Sequence, residues 1–409
     1  MSTTSTGNVI AMPLKPAVIK GKRIESIDIL RGTVMVIMAI DHVRDYFHSE
    51  AFLYSPTDLS RTTVPLFLAR FVTHYCAPIF IFLAGVSAYL YGVKRSKKEL
   101  SFFLFSRGIW LIVAELFIVT LLQTFNPQYP FFNLQVIWAT GICMVVLSVL
   151  IHLNKRLILT IALLLITAHN FFDAIHVPGI GVPSFAWSVL HEPGDFRFGN
   201  FLFSVKYPVL PWIGIMALGY CLGSLYAPGY DAERRKNMLL FLGVISIILF
   251  MLLRLSNVYG DSAHWALQKT PTFSLLSFLN VTKYPPSFLY TLITLGPAFI
   301  FLSLAEKPLN RWTARIAVFG RVPLFYYLVH FFLIHLMAVA GAVFSGYNWQ
   351  DMILSVRINA SPALKGYGFN LATVYMVWAV LLIVLYPLCK RFDRFKRTNL
   401  AKYKWLSYL

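Results

Sequence analysis

The stretch CAPIFIFLAGVSAYLYG, Cys76–Gly92, followed at once by Val93-Lys94-Arg95-Ser96-Lys97-Lys98, decides the fold class. Extended back to Val64, it is an apolar run longer than the about 20 residues that a helix rising ~1.5 Å per residue needs to cross a hydrocarbon core. The basic cluster that closes it marks a helix end on the cytoplasmic side of a membrane. Working outward, further apolar runs cover Ile27–Phe47, Phe102–Gln123, Leu134–Leu153, Leu157–Phe172, Tyr207–Tyr226, Met238–Leu255, Pro286–Ala305, Val322–Phe344 and Leu371–Leu388, ten with the first. Leu157–Phe172 is the shortest and ends in polar residues at His169 and Asn170.

Composition agrees. Of 409 residues 58% are hydrophobic and 13% charged, about half the charged share of a soluble domain and too little to cover a water-facing surface. The net charge of +19 has two ordinary explanations, nucleic acid or an anionic lipid leaflet, and the positions of the charges decide between them. Alternate connections are basic: Lys94–Lys98, then Lys155 and Arg156, then Arg234, Arg235 and Lys236, then Lys307, Arg311 and Arg315. Lys15, Lys20, Lys22 and Arg23 precede the first run, and Lys390 to Lys404 follow the last. The connections between are neutral or of mixed sign, as in Asn126–Asn133 and Asp173–Lys206. This is the positive-inside pattern, and it accounts for the charge without nucleic acid. The expected architecture is an all-α, polytopic helix bundle of about ten transmembrane helices in the plasma (inner) membrane, both termini cytoplasmic. It divides into a tail at 1–26, one transmembrane domain at 27–389 and a basic cytoplasmic tail at 390–409. No cleavable signal is expected, because 1–20 lacks an apolar stretch. The four cysteines fall in or at the ends of apolar runs without metal-ligand spacing, so no metal is expected.

Charge inside a span is expensive, at least about 2.5 kcal/mol near the centre, and needs a reason. The first run holds Asp28, Arg31, His42 and Asp45, which a helix places on roughly a third of its circumference. Arg31 and His42 are eleven residues apart, about 16 Å along one face. A purely structural reading pairs Asp28 with Arg31 and lets His42 line a wet helix end. The functional reading makes His42 a general base, because imidazole accepts a proton near neutral pH, with Asp41 or Asp45 orienting it. His74, His330 and His335 add polar groups in other spans; each alone suits a hydrogen-bonded core histidine, and together they outline a polar cavity. Arg31, Arg107 and Arg321 sit near the starts of helices running outward, where helix dipole and guanidinium together suit phosphates; snorkelling to lipid headgroups is the alternative.

The run Arg23-Ile-Glu-Ser-Ile-Asp28-Ile-Leu-Arg31-Gly32, continued through Met38-Ala-Ile-Asp41-His42, resembles the first helix of bacterial heparan-α-glucosaminide N-acetyltransferase-like membrane proteins. His74-Tyr-Cys-Ala-Pro78 through Gly85, Lys283-Tyr284-Pro285-Pro286-Ser287 and Gly320-Arg321-Val-Pro323 through His330 resemble the same family. The Arg31 to His42 spacing also resembles the first-helix signature of the type-three membrane acyltransferases. The resemblance implies acetyl-CoA or another acyl-CoA as co-substrate, bound from the cytoplasm by Arg31, Arg107 and Arg321. It also implies a catalytic His42, as base or as acyl carrier, and a sugar or amino-sugar acceptor arriving from outside, with His74 and His330 as substrate-binding candidates. Gln135 and Trp138 resemble a stretch lining the coenzyme site. The chain departs from the lysosomal members, which have a lumenal amino-terminal region and an extra helix, so the resemblance does not carry the acceptor's identity. The partners expected are the lipid bilayer, acyl-CoA and the acceptor, with a homodimer left open. The rival function is a secondary transporter of a small anion, using the same residues to line a path.

Overall fold

The computed structural model describes residues 24–407; most of the expected amino-terminal tail lies outside the described residues. Helices α1 (Glu25–Phe47), α2 (Val64–Thr73), α3 (Cys76–Gly92) and α4 (Lys97–Val113) open the fold. A π-helical turn over Ala114–Val119 joins α4 to α5 (Thr120–Thr124). Strand β1 (Phe131–Leu134) leads into α6 (Val136–Leu150), and α7 (Lys155–Thr167) and α8 (Val182–Leu190) follow. The hairpin β2 (Gly194–Phe198) and β3 (Phe201–Val205) precedes α9 (Leu210–Leu222), α10 (Ala232–Ser256) and α11 (Pro271–Leu279). The remainder is α12 (Phe288–Leu304), α13 (Arg311–Arg321), α14 (Pro323–Phe344) and α15 (Leu371–Asn399).

Local chemistry sets several starts. Ser96 and Glu99 form a capping box at α4, and the side chains of Asn154, Asp231, Ser287 and Asn370 accept from the first turns of α7, α10, α12 and α15. Each satisfies a backbone N–H that has no partner within its helix. Among the described residues, five helical stretches are long and apolar enough to cross a membrane: Val64–Gly92, Lys97–Thr124, Ala232–Ser256, Pro323–Phe344 and Leu371–Asn399. Helix α7 has 13 residues, about 20 Å of rise against the about 30 Å of a hydrocarbon core.

Several helix pairs touch backbone to backbone, and two of them approach most closely. A Cβ added at Gly85 or Gly219 would overlap the carbonyl of Met216 or Phe82 respectively, so α3 and α9 approach as only glycine allows. Gly32 and Gly320 do the same for α1 and α13, against Ile316 and Asp28. Such close approach provides packing where lipid offers no hydrophobic drive between helices.

The bundle is mostly helical, as expected, with one small sheet added to it. β1 pairs in parallel with β3, Phe131 opposite Leu202, and β3 pairs antiparallel with β2, giving the order β1-β3-β2. Phenylalanines stack across this small sheet, Phe132 on Phe203 at 4.9 Å between ring centres. Helix α15 continues past Cys389 to Asn399 and carries the ion pair Arg397–Asp393.

The basic connections converge on one end of the molecule. Lys97 donates to the carbonyl of His152, Arg235 pairs with Glu306, Arg321 pairs with Asp393 and Arg107 donates to the carbonyl of Ser407. The sheet and the loops that contact it gather at the other end, where Arg357 pairs with Asp195 of β2.

Candidate active site

Helix α1 runs past two cavities. The first, about 350 Å³, is lined by Arg31, Arg107, Arg321 and Lys396 among apolar groups that include Met35, Phe80 and Val136. Arg31 donates to the Gly320 carbonyl at 3.2 Å and to Ser87 at 3.0 Å, and it lies 3.9 Å from Asp28. Arg321 lies 3.7 Å from both Asp28 and Asp393. The carboxylates fix the guanidiniums in place, and four cations around one pocket suit a ligand with several phosphate charges.

The second cavity, about 520 Å³, is lined by His42, Asp41, Arg44, Asp45 and Gln135, and by loop residues of the sheet end. Phe80 and Val136 line this cavity as well as the first. The two spaces therefore meet at a wall made by α3 and the first residue of α6, with Arg31 on one side and His42 on the other.

His42 is held by a second histidine. Its Nδ1 lies 2.7 Å from Nε2 of His330, and its ring stacks on Phe331 with 4.4 Å between centres. His330 is completely buried, and its Nδ1 faces the carbonyls of Tyr327 at 2.5 Å and Tyr326 at 3.1 Å. A carbonyl oxygen only accepts, so the proton of neutral His330 sits on Nδ1 and its Nε2 is an acceptor. Nδ1 of His42 must then be the donor, which leaves the lone pair of His42 on Nε2. No hydrogen bond to that atom is found among the described residues, and His42 lines the second cavity.

Residues 23–255 match the family model described as heparan-alpha-glucosaminide N-acetyltransferase, catalytic. The chain belongs to this N-acetyltransferase family. Among curated proteins no match is found. Family membership and the long apolar helices make it a membrane acyltransferase.

Within this heparan-alpha-glucosaminide N-acetyltransferase family member, the three arginines singled out from sequence converge on one cavity, and Lys396 of α15 joins them. Other expectations need correction. Neither Asp41 nor Asp45 hydrogen-bonds to His42: Asp41 pairs with Arg44 at 2.8 Å and with Arg70, and Asp45 pairs with Arg44 at 2.7 Å. Consecutive positions on a helix point about 100° apart, which takes Asp41 off the His42 face. Gln135 lines the cavity of His42 and not that of the arginines, because it caps α6 on the sheet side. Trp138 is buried and lines neither cavity; its backbone N–H donates to Glu115 at 3.2 Å. His74 is buried against Tyr290, with 5.6 Å between rings, and His330 is buried beside His42; neither lines the two cavities. His335 bridges the carbonyls of Leu122 and Met352.

Sequence reading overlooked Glu115, Arg70, Lys206 and Arg357. Glu115 is a fully buried carboxylate under the start of α6, visible in the sequence as the one acid within Phe102–Gln123. Lys206, Lys283 and Arg357 are loop residues that the fold brings into the cavity of His42.

Proposed function

We propose that the protein moves an acetyl or other short acyl group from acyl-CoA, bound among Arg31, Arg107, Arg321 and Lys396, to a sugar or amino-sugar acceptor in the cavity of His42. The observation that carries this reading is the oriented lone pair of His42 in a cavity that shares Phe80 and Val136 with the basic pocket. The rise of about 16 Å from Arg31 to His42 is of the order a pantetheine arm spans. The thioester supplies an activated acyl carbon. Nε2 of His42 accepts the proton that the acceptor hydroxyl or amine gives up as it attacks that carbon, and the proton then leaves with the departing thiol. His330 keeps the imidazole in the tautomer that can do this, and Asp41 and Asp45 order Arg44 and Arg70 in the wall. The positive-inside pattern of the sequence supports an arginine pocket at the cytoplasm and His42 toward the outer face, in a plasma-membrane bundle of about ten spans with both termini inside.

Acetyl transfer by the purified protein tests this. His42→Ala is expected to lower kcat by at least about 100-fold while acetyl-CoA still raises Tm; native-rate turnover by a folded His42→Ala variant overturns the role of the base. Two cavities parted by a thin wall also suit a transporter of small anions, and that reading is favoured if coenzyme A gives no phosphate-dependent stabilisation.

A further inference from the structure

The cavity of His42 carries more positive charge than its own acids can balance. Its wall contains Arg44, Arg70, Lys206, Lys283 and Arg357 against Asp41 and Asp45. Both acids are taken by Arg44 and Arg70, and Arg357 is paired with Asp195 at 2.9 Å. Lys206 and Lys283 have neither an ion pair nor a hydrogen bond from their ammonium groups to any described residue. Lys283 is only 8% exposed. The carboxylate near its loop, Asp261, is occupied by the backbone N–H of Thr282 at 2.8 Å and the hydroxyls of Thr282 and Ser287 at 2.7 and 2.6 Å. Lys206 is set at the cavity by its position directly after β3, where its N–H donates to the Leu134 carbonyl at 3.2 Å. A buried ammonium without a carboxylate partner is costly, and a fold that sets Lys283 and the half-buried Lys206 at one cavity is arranged to receive an anion there.

We infer that Lys206 and Lys283 form a subsite for an acid group on the acceptor, a phosphate, sulfate or carboxylate carried by the sugar that presents its amine or hydroxyl to His42. This rests on the acyl-transfer reading for the word acceptor; the anion subsite itself stands on the two unbalanced ammoniums. Burial, and after it the charge of Arg357, draw the Lys206 ammonium below its ordinary pKa, as expected of a cation short of counter-charge.

The test is equilibrium binding of glucosamine and glucosamine 6-phosphate to the full-length protein in phosphatidylcholine nanodiscs, with acetyl-CoA binding followed in parallel. The phosphorylated sugar is expected to bind at least about tenfold more tightly, and Lys283→Met and Lys206→Met each to remove most of that preference, with acetyl-CoA binding unchanged. Should one variant fail to fold, as judged by lost acetyl-CoA binding, the other carries the test. Equal binding of the two sugars, or a preference that survives both substitutions, overturns the subsite. Repeating the measurement with phosphatidylglycerol distinguishes the source of the anion: a preference abolished by that lipid gives the site to a headgroup and overturns its assignment to the acceptor. Because binding is read without turnover, an anion preference without acetyl transfer defeats the acyl-transfer reading alone, whereas turnover without an anion preference defeats only this inference.

Discussion

His330 has no surface of its own in either cavity, yet the tautomer of His42 depends on it. In His330→Ala the Nδ1 proton of His42 loses its acceptor and the ring is free to turn or to shift its proton to Nε2. We expect kcat to fall by about 100-fold with the KM for acetyl-CoA little changed. His330→Gln should recover part of the loss, because its amide oxygen can accept from His42 Nδ1; equal kcat for the two variants at equal Tm would assign His330 to packing. Tyr284 gives a second prediction at this scale. Burial alone would raise the pKa of its phenol, but Lys283, Arg70 and Lys206 draw it down to about 7, with Arg357 also near and Tyr207 and Tyr290 packed around it. An anion beside Lys283 favours the neutral phenol, so ionisation of Tyr284 opposes binding. The affinity for glucosamine 6-phosphate is expected to decline as pH rises through about 7, and Tyr284→Phe to remove that inflection; an unchanged pH profile in the variant would refute the coupling.

At the scale of elements, the decisive contact is α3 against α9, since α3 carries Phe80 to the shared wall. Gly219→Val puts a branched side chain where the Phe82 carbonyl already lies, and the helices must separate. A loss of about 1–3 kcal/mol is expected, read as a lower Tm in detergent, and an unaltered Tm would mean that the pair can slide apart freely. The helix itself was legible in sequence: Val64–Gly92 is one apolar helical stretch, as its hydropathy implies, broken only by the turn at His74 and Tyr75. The strands were not legible. Each has four or five residues, too few for a period of two to stand out, and their partners lie in loops far along the chain. The pairing of His42 with His330 was hidden for the same reason, since 288 residues separate them. Arg31, Arg107 and Arg321 could be found because spans impose depth: basic residues near the starts of helices that run in one direction arrive at the same face. Lys206 and Lys283 lie in connections, where a lysine looks like any other solvated charge until the fold brings it to a cavity.

Over the whole molecule, the proposed reaction depends on Phe80 and Val136 leaving a passage between a basic pocket and a histidine that are otherwise separate. Val136 is the first residue of α6, and Glu115 beneath that helix end accepts from the backbone N–H of Trp138, so the wall is pinned and not loosely packed. Val136→Phe adds an aromatic ring at the passage without touching any arginine or His42. If the acyl chain must thread this point, the variant should still be stabilised by coenzyme A, whose phosphates bind on the near side, while acetyl transfer falls by at least about tenfold through kcat. A pocket that merely binds coenzyme A for some other purpose would keep the stabilisation and show no acetyl transfer in either protein. Transfer at the native rate in a folded Val136→Phe protein would mean that the thioester reaches His42 by a different route, and the shared wall would have no part in the chemistry.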